Sequence, residues 1–319
     1  MMFKMRKFKV LILFSLIIAG VGIFFVFHLL RPSTALESAG LSISPPTFEL
    51  SANPGDTLEN TIRVENLTTE TVRIFADRRN FTAMGEEGEV NLTTEDSTTF
   101  SLASWISVEP SEVEIPAKTQ RIFTFKTKVP LNAEPGGHFG SIVFRMAPQK
   151  TVSQTGATLT QELGALILLR VAGKTKEQAL IESFSAAKKF WEYGPVVFDY
   201  RIKNEGNLHV KPMGTVTINN LFGKKVAVIN IEPKNVLPGA IRKNSVSWDQ
   251  KLLLGGKYTA FLSLTYGSES TMMVSFTSFY GFPFKIGGAV LLVLIILAFL
   301  AFKARKRIKL ALRILLSGK

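Results

Sequence analysis

Two apolar runs, each bordered by lysine and arginine and by no acid, bracket this chain and fix where a folded body can sit. Val10–Leu30 follows Lys4, Arg6, Lys7 and Lys9, while Ile286–Phe302 is followed at once by Lys303-Ala304-Arg305-Lys306-Arg307. Residues 1–35 hold five basic residues and 283–319 hold eight. That leaves 25 of the 38 for 36–282, against all 25 acidic ones. The net charge of +13 and the isoelectric point near 9.8 therefore belong to the ends. A basic domain would point to nucleic acid. Here the interior is neutral, nucleic acid is excluded as the expected partner, and the basic ends read as membrane topology.

The first run ends at Arg31-Pro32-Ser33-Thr34-Ala35, whose small residues at Ser-x-Ala spacing suit a signal peptidase. Cleavage after Ala35 is the expectation, with an uncleaved signal anchor as its alternative, because the run approaches the roughly 20 residues of a spanning helix. Either way 36 onward lies outside the cytoplasm. The second run is expected to span the membrane over 283–303 and to leave 304–319 as a cytoplasmic tail, since cytoplasmic flanks carry the Lys/Arg excess. Tyr280, Phe282 and Phe284 stand where an interfacial aromatic belt would lie.

Between the runs the pattern has a period of two. Val196, Phe198, Tyr200 and Ile202 alternate with Val197, Asp199, Arg201 and Lys203, as a half-buried strand requires. The series Tyr258 to Tyr266 and Phe123 to Val129 repeat it, and Ile62 and Val64 face inward beside Arg63 and Glu65. Turn clusters such as Asn53-Pro54-Gly55-Asp56, Glu134-Pro135-Gly136-Gly137 and Asn204-Glu205-Gly206-Asn207 separate these runs. The fold class this predicts is mainly β, with two tandem Ig-like β-sandwiches over 36–150 and 179–282, joined by a connecting strand or linker at 151–178. A weak internal repeat supports two copies: Ile62–Asn66 leads to Ile115-Pro116, and Tyr200–Asn204 leads to Leu237-Pro238. With no cysteine in the chain, each exported sandwich must be held by its core alone.

No catalytic or metal-binding constellation is expected, and no cofactor. His138 and His209 fall in separate sandwiches, read as loop or edge-strand residues, and neither has a second histidine at ligand spacing. Gly85-Glu86-Glu87-Gly88-Glu89 reads as a solvated hairpin turn. Asn66, Asn80 and Asn91 each begin an Asn-x-Thr triplet of the glycosylation-acceptor type. Arg63, Arg78, Arg79 and Arg121 are the candidate ligand contacts, a cationic face for anionic glycans or a carboxylate-bearing peptide, with solvated strand faces as the ordinary alternative.

The order of features resembles the WxL-interacting proteins of Gram-positive cell surfaces. The likeness runs from Ile43-Ser44-Pro45-Pro46 and the Pro54-Gly55 turn through Asn80–Val90 and the glycine-rich start of a strand at Gly136–Ile142, to Gly256-Lys257-Tyr258. It implies a membrane-anchored surface protein, not an enzyme. The first sandwich would contact peptidoglycan or another envelope polymer, and the second a secreted surface protein. An extracytoplasmic assembly factor or chaperone for exported subunits is the alternative, with an accessory to an envelope enzyme behind it.

Overall fold

The computed structural model describes residues 40–95, 99–147, 162–253 and 256–317, with side chains to 305. The signal or anchor segment 1–35 and the polar stretch 149–160 lie outside the described residues. What is described is mainly β, in two consecutive Ig-like sandwiches followed by one long helix.

In the first sandwich, β1 (Leu41–Ser44), β3 (Thr57–Asn66), β8 (Gln120–Lys128) and β6 (Ile106–Glu109) form one sheet in the order β1-β3-β8-β6. The facing sheet runs β2 (Thr47–Ala52), β10 (Glu162–Val171), β9 (Gly136–Met146), β4 (Val72–Met84) and β5 (Glu89–Thr93), with β7 (Glu112–Ile115) pairing the start of β4. The period-two residues Ile62, Val64, Phe123 and Phe125 are fully buried between the sheets with Ile74, Phe144, Ile167 and Leu169.

The segment expected as a connecting strand belongs to this sandwich. β10 pairs antiparallel with β9 over its whole length and parallel with β2. Its run Leu163–Leu169 is continuously apolar because both its faces are covered, as suits a strand in mid-sheet.

In the second sandwich, β11 (Ala179–Ala186), β13 (Val196–Asn204) and β16 (Ile241–Trp248) form the smaller sheet. The larger has the order β12 (Phe190–Trp191), β18 (Thr271–Gly281), β17 (Gly256–Tyr266), β14 (Met213–Asn219), β15 (Lys225–Ile231). Val196, Phe198, Tyr258, Ala260, Leu262 and Phe279 fill the space between them.

The internal repeat has a physical basis. Asn66 and Asn204, each ending its strand, are fully buried. Asn66 donates its amide to the carbonyls of Glu70, Ile115 and Pro116, and its oxygen accepts the Thr68 N–H. Asn204 donates to Leu208 and Val236 and accepts from the Gly206 N–H. In both copies one amide pins the chain leaving the strand to the proline turn, satisfying backbone groups that burial would leave unpaired. Asn80, also buried, accepts the N–H groups of Leu102 and Ala103. Two of the three glycosylation-type asparagines are thus structural pins.

The helix α1 (Phe284–Ser317) begins two residues after β18 and runs on through the basic segment. Its span Phe284–Arg305 has a mean hydropathy of 2.6, is not covered by the other described residues, and is long and apolar enough to cross a bilayer.

Candidate functional site: an apolar sheet face above a locked joint

The outer face of the five-stranded sheet departs from the rule that solvated faces are polar. In β18 the phase is set by Phe279, which packs on Tyr258, Trp248 and Phe198. Because successive side chains alternate faces, this turns Ser275 and Thr277 inward and Met272, Val274 and Phe276 outward. The last three are 66%, 68% and 69% exposed. Cross-strand register extends the face. Phe276 stands opposite Phe261 with ring centroids 6.2 Å apart, Phe261 stands opposite Thr217, and Thr217 opposite Val228 at the sheet edge. Met213, opposite Thr265 and hence in the row of Met272, adds a corner. Exposed apolar residues gathered on one face in this way are characteristic of interaction surfaces. Among the described residues β15, at the rim of this face, pairs only with β14, so its other side offers backbone groups for a further strand.

The two sandwiches are held together by a joint built mostly from charged and backbone groups. The β4–β5 hairpin tip reaches the second sandwich. Glu86 takes a two-pronged hydrogen bond from the Arg201 guanidinium (Nε to Oε2 2.7 Å), its carbonyl accepts the Lys243 N–H, and Glu87 pairs with Lys243 at 3.7 Å. On the other side Glu49 Oε1 accepts from both Lys211 and Asn235 at 2.8 Å. Glu177 pairs with Arg170 and accepts the Ser268 N–H and hydroxyl. Where β9 begins, Gly137 donates to the Asn207 carbonyl at 2.8 Å. Gly136, at φ +141°, lies so close that a Cβ there would stand 3.0 Å from the same oxygen. The glycine pair of the sequence lets the second sandwich approach the first. Between hairpin and joint lies a cleft of about 250 Å³ with Phe81, Leu166, Leu168 and Leu237 on its walls and Arg242 at its rim.

This environment sets the titration of the joint. Arg201 hydrogen-bonded to Glu86, and Lys211 hydrogen-bonded to Glu49, hold both carboxyls below the usual range. At Glu177 burial raises the carboxyl, but the two Ser268 bonds and Arg170 outweigh it and the result is a lowered value. His209 meets the Phe139 ring edge-on, ring centroids 5.9 Å apart, and burial pushes its imidazole below the ordinary 6.5.

The four candidate arginines do not converge. Arg63 and Arg121 lie on adjacent strands of the β1-β3-β8-β6 sheet, but their rungs put them on opposite faces. Arg78 points across the sandwich edge to the Ile106 carbonyl at 2.6 Å, and Arg79, on the opposite face, pairs with Glu162 at 3.2 Å. Neighbouring cations are matched likewise, Arg145 by Asp77 and Arg73 by Glu112. His138 is no loop residue: it is buried in β9, its ring nitrogens face the Glu134 and Ser101 carbonyls, and Trp105 packs 4.4 Å from its ring. The acidic turn is a hairpin tip as expected, but its carboxylates hold the second sandwich and are not simply solvated.

Sequence reasoning missed the apolar face because β18 carries an inverted pattern. Read alone, Val274 and Phe276 would be placed inside. Only the register against β17 reverses them.

No protein-family model matches the chain, and no curated protein is similar enough in sequence to count as a relative. Solved structures match about three quarters of the chain at low identity. A class 5 fimbrial chaperone is 13% identical over 75% of this chain and 99% of its own, with a TM-score of 0.40. A chain of a chaperone–tip adhesin pre-assembly complex from the Csu pili of Acinetobacter baumannii is 12% identical over 75% and 98%, TM-score 0.37. The Escherichia coli chaperone DraB is 13% identical over 76% and 97%, TM-score 0.34. Likeness of this order carries no argument about function, and the WxL-interacting family gains no support from these comparisons.

Proposed function

We propose that this is a membrane-anchored, extracytoplasmic binding protein that takes an exported protein onto the outer face of its second sandwich, as an assembly factor for exported subunits. The observation that carries the reading is the outward row Phe276–Phe261–Thr217–Val228, apolar but for its threonine, with Met272 and Val274 beside it, on a sheet that ends in the membrane-length helix. Such a face is costly to leave in water. An extended segment paired to β15 would lie in the plane of the sheet and continue the same outer face with its alternate side chains, the logic of strand addition. The joint would hold the first sandwich in a fixed place beside a bound subunit.

A first sandwich that grips peptidoglycan through a cationic face is less well supported, because its arginines are divided between faces and several are neutralised. The test is affinity capture with the full-length protein from cells of its source. Wild type should retain a discrete exported protein that the double variant V274D/F276D loses, while R63A/R121A keeps it. Equal retention by wild type and V274D/F276D would remove the face from the account.

A further inference from the structure

The end of the second sandwich nearest the helix gathers two kinds of residue that its other surfaces do not combine. Strand directions place there the 187–195 loop, the β14–β15 hairpin tip, the chain at 249–253 and 256–257, and the exit of β18. The register fixes this: Asn219 pairs with Lys225 and Thr259, and Thr259 with Ser278, so the tip Asn220–Lys224 lies at the level of Tyr280.

This end carries exposed apolar tips. Phe222 is 88% exposed at the turn, beside Leu221; Phe190, 68% exposed, stacks on Tyr280; and Phe282 lies exposed just before the helix. Around them stand Lys188, Lys189, Lys224, Lys225, Lys251 and Lys257, all exposed. Of the two acids at this end, Glu192 is already paired with Lys285 and only Asp249 remains. Among the described residues, exposed large aromatic side chains are confined to the second sandwich, the helix and the link between them, and the large apolar side chains exposed on the first sandwich are Met84, Ile122 and Leu131.

The joint to the helix is firm. Phe282 N–H donates to the Trp191 carbonyl, Lys285 N–H to Glu192 Oε1 at 3.0 Å, and Phe282 packs against the first turn at Gly287. A sandwich held this way cannot swing freely above the point where the helix enters the bilayer.

The geometry points to a lipid-binding foot: the tips Phe190, Leu221 and Phe222 enter the headgroup layer around the helix, and the surrounding lysines engage anionic phospholipid headgroups. Aromatic side chains favour this layer because one end is apolar and the rest tolerates water. Each lysine near an anionic surface adds attraction that falls away within a Debye length. The foot would stand the apolar sheet face upright, clear of the membrane, where a subunit can reach it. The inference rests on the membrane-anchored reading above.

The chain has no cysteine, so single reporters are clean. Full-length variants F190C, F222C, V274C, L131C and L294C, each carrying a small fluorophore, are placed in nanodiscs containing phosphatidylglycerol and lipids spin-labelled at the headgroup or deep in the chain. Positions 190 and 222 should be quenched by the headgroup label several-fold more than 131 and 274, and 294 by the deep label. The effect at 222 should fall in K188E/K189E/K224E/K225E. Quenching at 294 with none at 190 and 222 overturns the foot and leaves the anchor standing. Equal quenching at 274 and 222 overturns it too, since the sheet would then lie flat. No quenching at 294 overturns anchor and foot together.

Discussion

Glu192 accepts the backbone N–H of Lys285 at 3.0 Å and pairs with its ammonium at 3.2 Å, so a carboxylate of the second sandwich closes the first turn of the apolar helix. Helix N-termini leave N–H groups without intrahelical partners, and a carboxylate there answers both the orphan donor and the positive end of the dipole. The residue is almost fully buried. Glu192→Ala should therefore speed hydrogen exchange at Lys285 and the following amides and cost about 1 kcal/mol at this terminus. Glu192→Gln, which keeps an acceptor, should lie between. Unchanged exchange in the alanine variant would show that the contact does not hold the joint.

The inverted phase of β18 gives a sharp contrast within one strand. Phe279 is fully buried among aromatic rings and Phe276 is exposed. Phe279→Ala should destabilise the protein by about 3–5 kcal/mol. Phe276→Ser should change stability by no more than about 0.5 kcal/mol while removing partner retention. Chemical denaturation of the full chain measures both, and the reverse order would mean that the register of β18 is misassigned.

Asn66→Ala and Asn204→Ala should each cost about 1–3 kcal/mol, because each leaves a buried carbonyl, that of Ile115 or Leu208, and a part-buried N–H without the amide that bonds them. The parallel roles of the two residues require similar losses, followed by denaturation and by exchange at Thr68 and Gly206. A negligible loss at either site would remove the structural meaning of the repeat.

Much of this was legible in the chain. The alternations at Val196–Ile202 and Tyr258–Tyr266 name the buried residues, because a half-buried strand has few ways to hide its apolar side. Asn66 and Asn204 were visible as a repeat, though not as pins. What could not be read depends on register and on contacts far apart in sequence. Leu163–Leu169 is apolar whichever sandwich it joins, and only its ladders with β9 and β2 decide. Glu86 meets Arg201 across 115 positions, with no local pattern to announce it. The arginines failed as a cluster because neighbours in a strand, such as Arg78 and Arg79, point to opposite faces.

Acid should loosen the joint in two stages. His209, with its folded value depressed below 6.5, leaves the unfolded chain binding more protons, so its contribution is present above about pH 6.5 and is lost as pH falls through the lower folded value. Glu49, Glu86 and Glu177, also depressed, contribute above 4.5 and lose that contribution as pH falls further. Small-angle scattering and exchange at the 85–88 tip should show the sandwiches separating below pH 6.5, and His209→Phe should remove the upper stage. Arg201→Glu should open the joint at neutral pH, and Glu86→Arg added to it should partly close it again. A joint indifferent to pH between 7 and 4 would contradict the assignment.

The claim that matters most is that the outer face of the second sandwich covers itself with an exported protein. A photo-crosslinking residue placed at Phe276 of the full-length protein in living cells tests it directly, with the exposed Ile122 of the first sandwich as the comparison site. A discrete adduct with an exported protein at 276, absent at 122, is the expected result. Adducts with lipid alone at 276, or the same adduct at both positions, would contradict the account.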